Sequence, residues 1–302
     1  MPAELAEVVT EFVRERVLPM EQDALADGSA DAELRARLRA AARECALFGP
    51  VSPIRYGGLA LDHRGQVEVL LAAGASLLGP TALNCDFPDD ATISLLDRVG
   101  TAEQVVVGDR GFLVCAARTD QDVTLFLVDS DNPGLRRLST PGLVRFENCV
   151  VPDSAVLGAV GAGVDLLRSG QPASGVRQSA RRLGLAIRAH ELTARWQPTV
   201  DHGLVADNEI DIIAAGSLIR STAALLDERS GADLDVAHTA AVTSTFVADA
   251  VARVLDRATQ LDRGHDRSPV SFLARARGFR TYDGPAGLPR WAIADRVLHR
   301  LG

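Results

Sequence analysis

Near residue 105 the apolar pattern of this chain changes period, and near residue 165 it changes back. Before the first switch, Leu5, Val8, Val9, Phe12, Val13 and Val17 recur at helical spacing, and Pro19 predicts a stop. "DAELRARLRAAARECALFG" opens on Asp31, a residue suited to capping, and closes at Gly49. A loop rich in Pro and Gly, "VSPIRYGGLALD", separates it from the helical "RGQVEVLLAAGASLLG". "ALNCDFPDDATISLLDRVGTAEQ" then reads as a loop followed by a short helix. Between the switches, "VVVGDRGFLVCAARTD", "VTLFLVD" and "GLVRFENCVVPDSAVLG" are short β-branched runs broken by Gly, Asp, Asn and Pro, the pattern of strands. From about Asp165 helical periodicity fills the rest. In "AVTSTFVADAVARVLDRATQL", Val242, Phe246, Ala250, Val254, Ala258 and Leu261 are expected on one face. This order predicts a mainly α protein with a small β domain: a helical domain over 1–104, a β domain over 105–158 and a helical bundle over 159–302.

The composition agrees. At 302 residues and 47% hydrophobic content the chain can bury a large core, and with 4% aromatics that core must be mostly Ala, Leu and Val, which suits packed helices. Its 40 acidic and 32 basic residues give a net charge of −8 with no basic block, which argues against nucleic-acid binding. Every side-chain cation other than His is Arg. Cys45, Cys85, Cys115 and Cys149 are far apart and form no CxxC pair, so reduced thiols in a cytoplasmic protein are expected. The acidic, amphipathic start has no signal-peptide pattern, and no apolar run approaches the ~20 residues that span a bilayer. The six His show no metal-ligand spacing, and neither a GxSxG elbow nor a P-loop is present. "GAVGAGVD" (158–165) lacks the βαβ context of a dinucleotide loop and reads as a connector.

Four segments together are more specific: "RYGGLALD", "LNCDFPDD…LLDRVGTAEQ", "VRFENCVVPDSAVLGAVGAGVD" and "ARARGFRTYDGPAGLPRWAIADR". In content and order they resemble the acyl-CoA dehydrogenase family, over nearly the whole chain. Arg280, Tyr282, Asp283, Gly284, Leu288, Arg290, Ile293 and Ala294 fit that family's last motif. Asn84, Cys85, Pro88 and Asp89, with the Asp-Gly-Pro of 283–285, resemble one branch of it. The resemblance implies an N-terminal α domain, a β domain and a C-terminal four-helix bundle. It makes Asp283 the candidate base that removes the proton α to an acyl-thioester carbonyl, while the β-hydride passes to FAD. Such a base needs an apolar pocket that raises its pKa. Read from the residues alone, Asp283 before Gly-Pro also suits a helix cap. The family's alternative acid on the first long C-terminal helix has no counterpart within 172–184.

The departures are as informative. The family's flavin-holding Thr-Glu-Pro and Gly-Ser-Asp loop is missing, because Gln104 is followed almost at once by what resembles the later half of the β domain. The Gln-x-His-Gly-Gly loop is reduced to Gln260 and Gly264, with Asp262 and Arg263 between them. Pro285 replaces the Thr after Gly284, removing a hydroxyl and an N–H. Gln260, Gly264 and Gly284 are therefore the remaining, weakened cofactor-binding candidates, and no metal ligands are expected. The resemblance implies the shortened subunit of an oligomeric FAD enzyme, acting on an acyl-CoA or acyl-carrier-protein thioester and sharing flavin with a full-length acyl-CoA dehydrogenase. A flavin-free enzyme that uses Asp283 for isomerisation, elimination or cyclisation, and a non-catalytic scaffold, are the alternatives.

Overall fold

The first helix does not stop at Pro19. The structure, a computed structural model, describes residues 2–25, 32–86, 89–101, 104, 111–120, 122–138, 144–195, 201–229, 231–261 and 287–301. In it, helix α1 (Pro2–Phe12) passes through a π turn (Val13–Val17) directly into α2 (Leu18–Leu25). A proline inside an α-helix clashes with the carbonyl four residues earlier. Here the ladder is already offset, since the Leu18 N–H donates to the Val13 oxygen, five residues back. The expected stop is therefore corrected: the wider turn accommodates Pro19. It also lines up Val9, Val13, Val17 and Glu21, all buried at a spacing of four. In a regular α-helix each such step would drift by about 40°.

The chain divides into two compact units, residues 1–90 with 171–302, and residues 91–170. The first is helical. It contains α3 (Ala32–Glu44), α4 (His63–Ala73), the single turn α5 (Gly79–Ala82), most of α7 (Gly163–Arg195), α8 (His202–Glu228), α9 (Leu234–Leu261) and α10 (Gly287–Leu301). One continuous apolar core runs from Val9 and Phe12 through Leu38, Leu70 and Leu83 to Leu183, Ile219 and Leu255. Small residues set its spacing. A Cβ on Gly74 would lie 2.2 Å from the Arg181 carbonyl oxygen, and one on Gly184 would lie 2.2 Å from the Leu71 oxygen, so α4 and α7 cross backbone against backbone. Arg253 grips Asp211 with two hydrogen bonds of 2.6 and 3.0 Å, Arg257 adds a third of 2.8 Å, and together they tie α9 to α8. Buried Glu21 accepts from the Ser76 hydroxyl and, at 2.8 Å, from Leu77 N–H, and its other oxygen accepts from Arg188 at 2.6 Å.

On α9 the buried stripe runs through Val236, Ala240, Thr243, Val247, Ala250, Val254, Ala258 and Leu261. Val242, expected on that face, is exposed. The face is set by the contact with α8, where Thr243 and Thr222 share a buried hydrogen bond of 2.8 Å.

The second unit holds the rest of α6 (Asp89–Val99), the start of α7 and the strands. β1 (Phe112–Thr119) and β2 (Asp122–Asp129) pair antiparallel from Phe112↔Asp129 to Thr119↔Asp122. β5 (Val156–Leu157) adds two residues to β2. β3 (Leu135–Arg137) and β4 (Val144–Phe146) form a separate two-stranded ladder. Leu95, Leu96, Leu125, Leu127 and Leu157 make this unit's own core. The Gln104 amide donates to the Ser154 and Val156 carbonyls at 2.7 and 3.0 Å and so fixes the approach to β5. Among the described residues no helix is long and apolar enough to cross a membrane.

Candidate functional site

Of the four residues singled out in the sequence, the structure describes one. Gln260 stands in the last turn of α9 with its side chain exposed. Asp283, Gly264 and Gly284 lie outside the described residues. Within the helical unit, the residues around the other quoted motifs converge on a buried polar cluster.

The segment carrying "RYGG" is tied back at Gly49, whose N–H donates to the Leu83 oxygen at 2.8 Å and whose oxygen accepts from Leu59 N–H at 2.9 Å. A Cβ on Gly58 would lie 2.2 Å from the Ser52 oxygen, so that glycine is required by packing. The loop delivers the chain to α4, whose Asp62 cap accepts from Gly65 N–H at 2.8 Å. The next two amides, of His63 and Arg64, donate to the Asp227 carboxylate at 2.7 and 3.1 Å. A carboxylate is favoured at a helix N-terminus by the orphan N–H groups there.

Burial holds the half-buried His63 imidazole below its ordinary value of 6.5, against the pull of Asp227, and Arg177 pushes it the same way as burial. The sign follows directly. As pH falls below 6.5, the unfolded chain takes up a proton that the folded chain resists, so stability declines. His63→Gln, which keeps the backbone bond to Asp227, is expected to lose less stability than the parent on the same acid titration, measured by urea unfolding at a series of pH values.

After α5 the chain turns through Asn84 at φ +55°, a conformation Asn tolerates better than most residues. Cys85 follows, fully buried, its N–H donating to the Pro80 oxygen at 2.9 Å. Burial pushes its thiol far above the ordinary range, with Arg181 opposing, so Cys85 is no nucleophile. In the first turn of α6, Asp90 is fully buried. Its Oδ2 accepts from Arg177 Nε at 2.7 Å and from Arg181 Nη1 at 3.0 Å, and Arg181 Nη1 also donates to the Cys85 carbonyl oxygen at 2.5 Å. Arg182 Nη2 donates to Gln178 Oε1 at 3.1 Å.

These arginines were not among the residues chosen from the sequence. The signal was there: Arg177 and Arg181 are one helical turn apart in an Ala-, Gly- and Leu-rich stretch, where a solvated face would carry more polar neighbours. The cluster provides positive charge and fixed N–H donors, which suits holding an anion and not abstracting a proton. Among the described residues no group of three or more His, Cys, Asp or Glu could hold a metal ion.

No protein-family model matches the chain. It is similar to the (R)-benzylsuccinyl-CoA dehydrogenase of Thauera aromatica, at 27% identity over 220 residues, 63% of this chain and 53% of that protein. The chain thus spans about half the length of this curated relative. Among solved structures, its fold matches a Mycobacterium abscessus protein assigned to the acyl-CoA dehydrogenases, with TM-score 0.83, 22% identity and coverage of 100% and 98% of the two chains. It also matches the ChsE4–ChsE5 complex of Mycobacterium tuberculosis, with TM-score 0.77, 21% identity and coverage of 99% and 97%.

Proposed function

We propose, from the chain's membership of the acyl-CoA dehydrogenase family, that it is the shortened subunit of a heteromeric dehydrogenase acting on an acyl thioester. The observation that carries this reading is the small β unit: its described strands make one three-stranded sheet and one two-stranded ladder. The donor set points the same way. A flavin dinucleotide needs N–H groups and close backbone approach around its pyrophosphate. After Gln260 this chain instead offers the Asp262 carboxylate, which repels an anion, and the bulk of Arg263. Pro285 adds no N–H donor. The residues present do not fit a flavin held by this chain alone, so redox capacity is assigned to a full-length partner that holds most of the FAD. The M. tuberculosis match, a complex of two named proteins, supports such pairing.

In this reading the chain's own contribution is Asp283 as the base that takes the α-proton. Its sequence neighbours include Pro285, Leu288 and Pro289, and a dry setting would make the carboxylate more basic than in water. The thioester is carried on CoA or on an acyl-carrier protein.

The test is the visible flavin band and the dehydrogenation rate, measured on the chain alone and after co-expression with a full-length acyl-CoA dehydrogenase. Flavin is expected only in the co-expressed complex. In that complex Asp283→Asn is expected to lower the rate by about 10²–10⁴-fold, the usual weight of a positioned base, with FAD content unchanged. Flavin bound by the single chain would overturn the shared-site reading. Exchange of the α-proton by a flavin-free chain would move the assignment to redox-neutral thioester chemistry. An Asp283→Asn complex of full activity would reduce that carboxylate to a cap and the chain to a scaffold.

A further inference from the structure

A helix docked on a protein surface turns its apolar side chains inward and its charges to water. Helix α10 reverses this. Trp291 and Leu298 are exposed, while its arginines reach for α9. Arg290 Nη2 donates to Asp249 Oδ2 at 2.5 Å. Arg296 Nη1 donates to the Leu234 carbonyl oxygen at 2.6 Å, and its Nη2 donates to the Asp235 carboxylate. Within 290–300 no side chain is buried, and only Ile293 and Arg296 are half-buried. Hydrophobic stabilisation scales with the apolar area removed from water, so here it is small. Charge does most of the fastening, and one exposed ion pair shifts an equilibrium by about fivefold at most.

Arg290 meets residue 249 and Arg296 meets 234–235, so α10 runs antiparallel along α9. His238 stands one turn beyond Leu234 on the same face of α9. Its half-buried imidazole is faced by Arg296 and Arg300 from α10 and by Asp235 from its own helix. Arg229 also approaches Asp235, at 3.9 Å. His299, the imidazole of α10 itself, is exposed and lies 3.5 Å from Asp295 on the same helix. Burial, followed by Arg296 and Arg300, holds the His238 imidazole below its ordinary value of 6.5, against the pull of Asp235. A proton on it sets a third cation beside two arginines.

We propose that α10 is an electrostatic latch on α9, closed by Arg290–Asp249 and Arg296–Asp235 and opened when His238 takes up a proton. The direction follows from linkage. Below pH 6.5 the undocked helix leaves His238 free to bind a proton that the docked state resists, so docking weakens as pH falls. Helix α10 begins four residues after Asp283, so an open latch releases the helix that follows the proposed base. That consequence rests on the dehydrogenase reading, whereas the latch itself does not.

Amide hydrogen exchange over 290–300, corrected for the intrinsic rate and referred to the buried stripe of α9, reads the latch on the full chain. It is measured at about pH 7.5 and about pH 5.5, both above the ordinary carboxylate range. Protection is expected to fall by about fivefold at the lower pH, and to hold in His238→Gln. Asp235→Asn is expected to lower protection at both pH values, and Arg300→Gln to lessen the pH response. In the co-expressed complex, the dehydrogenation rate of the parent is expected to fall toward acid more steeply than that of His238→Gln. Protection equal at the two pH values, or an equal fall in the parent and His238→Gln, overturns the proposal. So does parental protection in Asp235→Asn at the higher pH. Should His238→Gln fail to fold, Arg300→Gln decides, and a pH response as large as the parent's sinks the latch. A pH-dependent latch in a chain whose complex lacks thioester chemistry would overturn the dehydrogenase reading alone, so the two fail separately.

Discussion

Asp90→Ala is expected to destabilise the protein by about 3–5 kcal/mol, the cost of removing one partner from a buried ion pair. The loss is large because the cost lies in what remains. Arg177 and Arg181 both donate to one Asp90 oxygen, and both side chains are almost wholly out of water. Without the carboxylate, two fixed positive charges face each other in a medium where neither is hydrated, and no protonation change can relieve them. Asp90→Asn keeps the shape and one acceptor, so it should fall between the parent and Asp90→Ala. Urea unfolding of the full chain followed by far-UV circular dichroism gives the comparison. A loss below about 1 kcal/mol for Asp90→Ala, the level of a solvent-exposed pair, would mean that water reaches the cluster.

The second large effect is steric. Gly184→Val is expected to prevent folding, and Gly184→Ala to cost at least the 1–3 kcal/mol or so typical of overpacking. Even a single methyl would sit 2.2 Å from the Leu71 oxygen, and that atom belongs to a helix backbone that cannot rotate aside. The helices would have to part, withdrawing Leu70 and Leu183 from a core in which both are almost fully buried. Gly175 on the same helix is the internal control. A Cβ there would meet the Ser244 hydroxyl at 2.8 Å, and that group can swing away. Gly175→Ala should therefore stay close to the parent, or exceed it through lower unfolded-state entropy. Equal losses at 175 and 184 would show that helix geometry, not the crossing with α4, sets the penalty.

What could be read in advance follows from which forces leave a local trace. The change from helical to strand-like patterning located β1 and β2 because β-branched residues crowd there. β3 is only Leu-Arg-Arg, too short for any period, and takes its conformation from pairing with β4. Val242 was placed on the wrong face because Phe246 and Ala250 suggested a stripe that the contact with α8 does not use. The wall of the candidate site stayed hidden for a related reason. An arginine in sequence looks like surface, and only the return of Asp90 to α7 makes 177 and 181 interior. Asp283 was singled out by a chain-local motif and lies outside the described residues.

The π turn in the first helix makes length, more than identity, the inherited quantity there. Arg14, Glu15 and Arg16 point to solvent, so each can be exchanged freely. Deleting any one of them is another matter. A one-residue loss would close the turn to α, bring the Pro19 ring against the carbonyl four residues earlier, and rotate everything downstream by about 100°. Glu21 would then swing off Ser76, Leu77 and Arg188, leaving the Arg188 guanidinium with the Ala75 carbonyl but without its carboxylate. The three exposed positions therefore accept many helix-forming residues, but the segment keeps only one count.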